Sequence, residues 1–220
     1  LGGIPIQKNS AEEVKELLMY LMEQGVNYVD SARGYTVSEA LLGEAMEGHR
    51  DSFIIASKSM ATSKEAMAKD IDISLKNFRT DHIDLYQLHN PSMEGLDAIQ
   101  AEGGALEAML EAKAAGKIDH IGLTAHSTEV FERALDLDFV ETIMFPYNIV
   151  EFQGTELMRK AAERNIGFVD MKPLAGGAIE DGRLALRYIC SNPDVTIVIP
   201  GMYSVDEAKK NIEAVLDESP

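Results

Sequence analysis

Cys190 is the only thiol in this chain of 220 residues. A single thiol closes no internal disulfide, and no CxxC pair offers these residues a zinc or iron–sulfur site. A reducing cytoplasm is therefore the expected compartment. Within the apolar pattern LALRYIC, Cys190 is expected to be a buried packing residue. Positive charge is scarce too: 20 Lys and Arg stand against 37 Asp and Glu, a net charge of −17. That excess repels nucleic-acid phosphates and anionic membrane surfaces, so neither is an expected partner. An anionic dinucleotide would need a local basic pocket. No apolar run nears the roughly 20 residues that cross a bilayer. The opening LGGIPIQKNS lacks the basic-then-apolar order of a signal peptide, and it starts without Met, so residues upstream are expected. No solenoid-period repeat, low-complexity segment or linker interrupts the chain, and a single domain over residues 1–220 is expected. There is no heptad pattern, so the sequence gives no reading of oligomeric state.

What is present alternates from end to end. Eight apolar runs of about five to seven residues read as buried strands. They are GGIPI, VNYVD, SFIIASK, HIDLYQLH, HIGLTAH, VETIMFPY, IGFVDMKP and VTIVIPG. Helical stretches lie between them. Val14, Leu17, Leu18, Leu21 and Met22 form a stripe with helical spacing over residues 11–24. Capping boxes are expected at Ser10 with Glu13, Thr62 with Glu65 and Ser204 with Glu207. Gly25, Gly116 and Gly167 are expected to follow helix ends. Eight strand–helix units predict a parallel α/β fold, a (β/α)8 TIM barrel. The open doubly wound sheet is the rival, but no GxGxxG follows the first run.

In such a barrel, chemistry sits at the C-terminal ends of the strands. The residues there are Asp30 with Tyr35 in the following loop, Lys58, His89 with Asn90, Thr124 with His126, Tyr147 with Asn148, Asp170 with Lys172, and Pro200 with Gly201. A lysine at a barrel mouth needs a counter-charge, and Asp30 on the neighbouring strand supplies one. An ammonium beside a tyrosine favours the phenolate, so Lys58 is expected to lower the Tyr35 pKa towards the range where a general acid works best. Singly, each residue has an ordinary explanation: Asp30 a cap, Tyr35 a surface aromatic, His89 a satisfied core histidine. Four of them at the mouths of three consecutive strands are a constellation.

These segments resemble one known family. GVNYVDSARGYTVSEALLGEAM is similar to the aldo-keto reductase segment in which an Asp is followed four or five residues on by a Tyr, then by Ser-Glu. SFIIASK resembles that family's strand ending in a catalytic Lys, SLKNFRTDHIDLYQLHNP its strand ending in a catalytic His, and AAGKIDHIGLTAHS the strand after it. The resemblance runs along essentially the whole chain. It implies NADPH- or NADH-dependent reduction of a small-molecule carbonyl, with Asp30, Tyr35, Lys58 and His89 as the catalytic residues and Tyr35 as proton donor. It also implies a cofactor site drawn from Thr124, His126, Asn148, Met171, Lys172, Ser204, Lys210 and Asn211. MKPLAGG and GGIPIQ resemble a prokaryotic branch whose members often continue into a cysteine-rich tail, so an iron–sulfur cluster is expected only if such a tail exists. The family's N-terminal hairpin is also missing from these residues.

The cofactor side departs from the family pattern. Thr124-Ala125-His126 stands where Ser-Asn is usual, Met144 where a Gln is expected, and Met171 where an aromatic would stack on the nicotinamide. After the last strand, Glu207 falls about where the family often has an Arg for the 2′-phosphate of NADPH. It is either a phosphate-repelling group or merely the capping partner of Ser204, and NADH against NADPH stays open. Three other readings remain. One is a cofactor-binding regulatory or redox-sensing barrel with little turnover. Another is Schiff-base chemistry on Lys172. The third is a metal held by His89, His126 and Asp170.

Overall fold

The computed structural model describes residues 1–216. Seven of the eight apolar runs form parallel strands: β1 (Tyr28–Asp30), β2 (Ile54–Ser59), β3 (Ile83–His89), β4 (Ile118–Thr124), β5 (Thr142–Pro146), β6 (Gly167–Met171) and β7 (Ile197–Val198). They pair in sequence order, each with the next. The return segments are helical: α1 (Ala11–Glu23), α2 (Ser38–Ala45), α3 (Lys64–Phe78), α4 (Met93–Gln100), α5 (Ala105–Ala114), α6 (Thr128–Ala134), α7 (Thr155–Glu163), α8 (Gly182–Cys190) and α9 (Val205–Leu216). Two helices rather than one link β3 to β4.

Side chains alternate across each strand. Tyr28, Ala56, Leu85, Met144, Val169 and Ile199 cluster on the concave face of the curled sheet. The opposite face packs under the helices, where α1 buries Val14, Leu17, Leu18 and Leu21, as their helical spacing predicts. Each such side chain contributes about 1.5–3 kcal/mol of transfer free energy. Ser10 and Glu13 form the expected reciprocal capping box at the start of α1. Ser204 accepts from the Glu207 N–H, while the Glu207 carboxylate reaches back one residue further, to the Tyr203 N–H at 3.0 Å.

Several expectations are corrected. GGIPI is not a strand, because Pro5 at the first turn favours a short 3-10 helix over Pro5–Lys8. Only Gly2 pairs, through isolated bridges to Asp30 at the end of β1 and to Gly201, beyond the end of β7. Gly3 must be glycine: a β-carbon there would stand 2.5 Å from the Asp30 carbonyl oxygen and 2.7 Å from Ser38 Oγ. The cap of α3 is Ser63, not Thr62. Gly167 opens β6, and the left-handed residue after α7 is Asn165 instead. Cys190, at the last residue of α8, is exposed rather than buried.

Candidate active site at the strand ends

The sheet register puts four elements side by side. Asp30 pairs with Ala56, Lys58 with Gln87 and His89 with Thr124. Asp30, Lys58 and His89 therefore rise on one face at the C-terminal ends of β1, β2 and β3, and Tyr35 folds back from the loop after β1. All four line one cavity of about 490 Å³. Lys58, 2% exposed, donates to Asp30 Oδ2 at 2.5 Å and to the Ser31 carbonyl at 2.7 Å. Its Nζ lies 4.9 Å from the centre of the Tyr35 ring. The His89 ring stands edge-on to Tyr35, with centroids 6.0 Å apart and planes at 86°.

The loop carrying Tyr35 is anchored by a buried carboxylate. Glu39 accepts from Ser57 and Ser74 hydroxyls at 2.7 Å each, from Asn77 Nδ2 at 2.9 Å, and from Arg33. These partners tie α2 to β2 and α3. Ser38, beside it, donates to the Gly3 carbonyl at 3.0 Å. The Ser-Glu pair of the YTVSE segment thus acts as the support of the site.

Charge in the cavity differs from the expectation in one respect. Burial, with the Asp30 charge adding, pushes the Tyr35 phenol well above its ordinary value instead of below it. Burial is the larger cause, and the Asp30 carboxylate that pairs with Lys58 at 2.5 Å adds its negative charge. His89 is pushed down to about 4, first by burial and then by the charges of Lys58 and His126. At neutral pH the site therefore holds a protonated phenol and an uncharged imidazole.

Of the expected cofactor residues, Thr124, His126, Met171 and Lys172 line the same cavity. Thr124 accepts from the Asn90 N–H at 2.9 Å, which leaves its own proton available. Lys172, exposed, has no ion-pair partner among the described residues. The His126 pKa is lowered by burial and then by Lys172, with Glu151 opposing. Asn148 does not reach the cavity: its amide is consumed by Glu151, the Lys172 carbonyl and the N–H groups of Val150 and Glu151. Ser204 lies in an adjoining cleft of about 860 Å³ that shares Ile4, Pro5 and Tyr203 with the cavity. Lys210 and Asn211 line neither. Glu207 does line the cavity, so capping and charge coexist in one side chain.

The metal reading fails on geometry. Among the described residues, the three-residue group with metal-ligand proximity is His82, Asp84 and Asp119 at the N-terminal ends of β3 and β4, not His89, His126 and Asp170. Asp170 is fully buried and lines no part of the cavity. Its Oδ1 accepts from the Tyr147 N–H at 2.9 Å and its Oδ2 has no partner among the described residues. Burial, with Glu151 adding and the Tyr147 bond opposing, raises its pKa to about 8. The folded state then keeps a proton that the unfolded chain releases near the ordinary value of 3.8. Stability is thus expected to fall as pH rises across that window, by at most about 1.4 kcal/mol per pH unit. Asp170→Asn should flatten this slope in urea midpoints measured at pH 5, 7 and 8. An unchanged slope would remove Asp170 as its source.

Sequence reasoning missed several walls of the cavity: Ile4, Pro5, Tyr203, and the loop of Pro173, Leu174, Gly176 and Gly177. IPIQ was hidden by its resemblance to a strand. The GG of MKPLAGG, with φ of 68° and 96°, carried a turn signal that points to the loop but not to its position over the site.

A model of the Aldo/keto reductase family matches residues 1–184. L-galactose dehydrogenase of Arabidopsis thaliana is 26% identical, over 88% of this chain and 75% of its own length. Aldo-keto reductase YhdN of Bacillus subtilis is 30% identical, over 72% of this chain and 50% of its own. The holo form of aldo-keto reductase AKR11C1 from Bacillus halodurans superposes with a TM-score of 0.88 at 24% identity, covering 99% of this chain and 86% of that one. An aldo-keto reductase from Klebsiella pneumoniae, solved with NADP and acetate, gives 0.85 at 22% identity, covering 99% and 85%. At these identities the two structures speak for the fold, while the family model spans most of the sequence. The chain belongs to the aldo/keto reductase family.

Proposed function

We propose that this protein reduces an aldehyde or ketone to an alcohol with a nicotinamide dinucleotide, using Tyr35 as the proton donor. The observation that carries the reading is the convergence of Tyr35, His89 and the Lys58–Asp30 pair on one cavity. On this reading the family's (β/α)8 barrel is completed by Leu1–Gly2, a reading supported by the isolated bridges from Gly2 to Asp30 in β1 and to Gly201, beyond the end of β7.

The residues present suit the cofactor. Met144, Met171 and Ile199 give the cavity an apolar floor for a flat ring, and the free Thr124 proton and His126 stand beside it. Lys172 supplies positive charge for the diphosphate. The cofactor, when bound, supplies the hydride to the carbonyl carbon. The protein's own part is the proton. Tyr35, held protonated by burial, donates its phenolic hydrogen to the carbonyl oxygen as charge develops there. Lys58, its Nζ 4.9 Å from the ring centre, then stabilises the phenolate. Neutral His89 positions the carbonyl oxygen by hydrogen bonding, without adding charge.

NADH suits the far end of the groove better than NADPH. Glu207 lies in the cavity wall, and the adjoining cleft sets Glu13, Glu16 and Asp206 against a single Lys8. A 2′-phosphate there meets repulsion that a 2′-hydroxyl does not. Parallel titrations with NADH and NADPH, followed by a panel of small aldehydes and ketones, test both parts of the proposal. Tight NADH binding with carbonyl-dependent oxidation is expected. Glu207→Gln should then narrow the preference for NADH by about tenfold, one charge interaction of roughly 1.4 kcal/mol. Cofactor binding without turnover would replace reduction by a sensing role, and binding of neither dinucleotide would sink both.

A further inference from the structure

Gln87 sits on β3 directly opposite Lys58 in the register and two residues before His89, on the same strand face. It is fully buried. Its Nε2 donates to Asp30 Oδ1 at 3.3 Å, while Asp30 Oδ2 takes Lys58 at 2.5 Å. A carboxylate only accepts, so the amide must turn its nitrogen towards Asp30. Gln87 Oε1 is left buried with no partner among the described residues. The neighbouring strand makes room for this side chain: a β-carbon on Gly122 would stand 3.0 Å from Gln87 Cγ and 2.3 Å from Thr142 Oγ1. A half-satisfied buried amide costs about 1–3 kcal/mol that an apolar side chain of the same size would not. Its presence is therefore poorly explained by stability.

We infer that Gln87 is a positioning residue of the catalytic centre, holding Asp30 so that Lys58 stays aimed at Tyr35. This rests on the reductase reading. A free carboxylate can rotate about its Cβ–Cγ bond and offer either oxygen, or both, to the lysine. With Oδ1 held by Gln87, only Oδ2 faces Lys58. The ammonium is then fixed on two sides, by Asp30 and by the Ser31 carbonyl at 2.7 Å, and has one N–H left for the cavity where Tyr35 stands. Without Gln87 the pair gains a rotational freedom that spreads the lysine over several positions. Misplacement by an ångström at such a group costs about a hundredfold in rate.

Two variants test this. Gln87→Met matches the side chain in size, suits the apolar interior, and removes the donor to Asp30 together with the unpartnered Oε1. It is expected to fold, to bind cofactor as the wild type does, and to lose about tenfold to a hundredfold in kcat at every pH. Gln87→Glu is a donor only when it shares a proton with Asp30, which restores the wild-type charge. It should work like the wild type on the acid side and show a new alkaline fall where the wild type is flat. A purely structural role would not create that limb. The Lys58 side-chain ammonium, followed by ¹H–¹⁵N NMR in the whole protein, gives a readout free of turnover. A sharp signal is expected in the wild type and a broadened one in Gln87→Met. Equal kcat in both variants at all pH values, with an unchanged Lys58 signal, overturns the inference. If the wild type reduces no carbonyl, the reductase reading falls and the Lys58 signal alone decides on Gln87: loss in the methionine variant supports positioning, and no change refutes it.

Discussion

Tyr35→Phe is expected to lower carbonyl reduction by about 10²–10⁴-fold, the usual contribution of a well-placed general acid. The substitution removes one oxygen and leaves the ring. The edge contact with His89 and the approach of Lys58 to the ring face survive, so cofactor affinity should be unchanged. Fluorescence titration measures the affinity, and single-turnover oxidation of the cofactor measures the chemical step. A fall in kcat and kcat/KM together, with constant cofactor Kd, marks a group that acts in the transition state. The wild-type rate should hold through neutral pH, because burial keeps the phenol protonated there. It should change below about pH 4, where His89 takes up a proton. Turnover by the phenylalanine variant at the wild-type rate would end the assignment of Tyr35 as acid.

Lys58→Met should damage both function and stability. Removing the lysine leaves the Asp30 carboxylate buried with only the 3.3 Å bond from Gln87 to compensate it. Breaking a buried pair from one side typically costs about 3–5 kcal/mol, most of it the uncompensated charge. Turnover should be nearly lost as well, since nothing then stabilises the phenolate. A second substitution separates the two effects. Asp30→Asn added to Lys58→Met removes the stranded charge and should recover most of the stability but none of the turnover. Urea unfolding of the wild type, both single variants and the double variant gives the coupling energy directly. A double variant as unstable as Lys58→Met would mean that the loss comes from packing of the long lysine side chain, not from charge.

Much of this site is visible in the residues themselves. Val14, Leu17, Leu18 and Leu21 announce α1, and the capping box at Ser10 marks its start, because both signals are local and depend only on helical geometry. Asp30, Lys58 and His89 close apolar runs, so the rule that parallel α/β sheets gather chemistry at strand ends finds them without coordinates. Errors arose where a short pattern had two local solutions. GGIPI reads as a strand by its apolar content, yet Pro5 lacks the N–H that a strand interior needs. Asn148 and Asp170 also stand at or near strand ends, but pleat and loop geometry turn the first into its own turn and the second away from the cavity.

The sequence by itself determined the alternation of strand and helix, the family, and the identity of the four residues that meet at the mouth of the sheet. Each is written in spacing and residue type. Only the tertiary structure decided how those residues behave. The Tyr35 pKa is raised in the resting site, not lowered, first by burial and then by the charge of Asp30, which pairs with Lys58 at 2.5 Å from 28 positions earlier in the chain. Gln87, from a third strand, donates to the other oxygen of that carboxylate at 3.3 Å. Glu207 acts as helix cap and cavity wall together, because the start of α9 is folded against the segment around Pro5. These outcomes depend on distances between residues far apart in sequence, and charge, burial and hydrogen-bond competition at a site are settled by such distances alone.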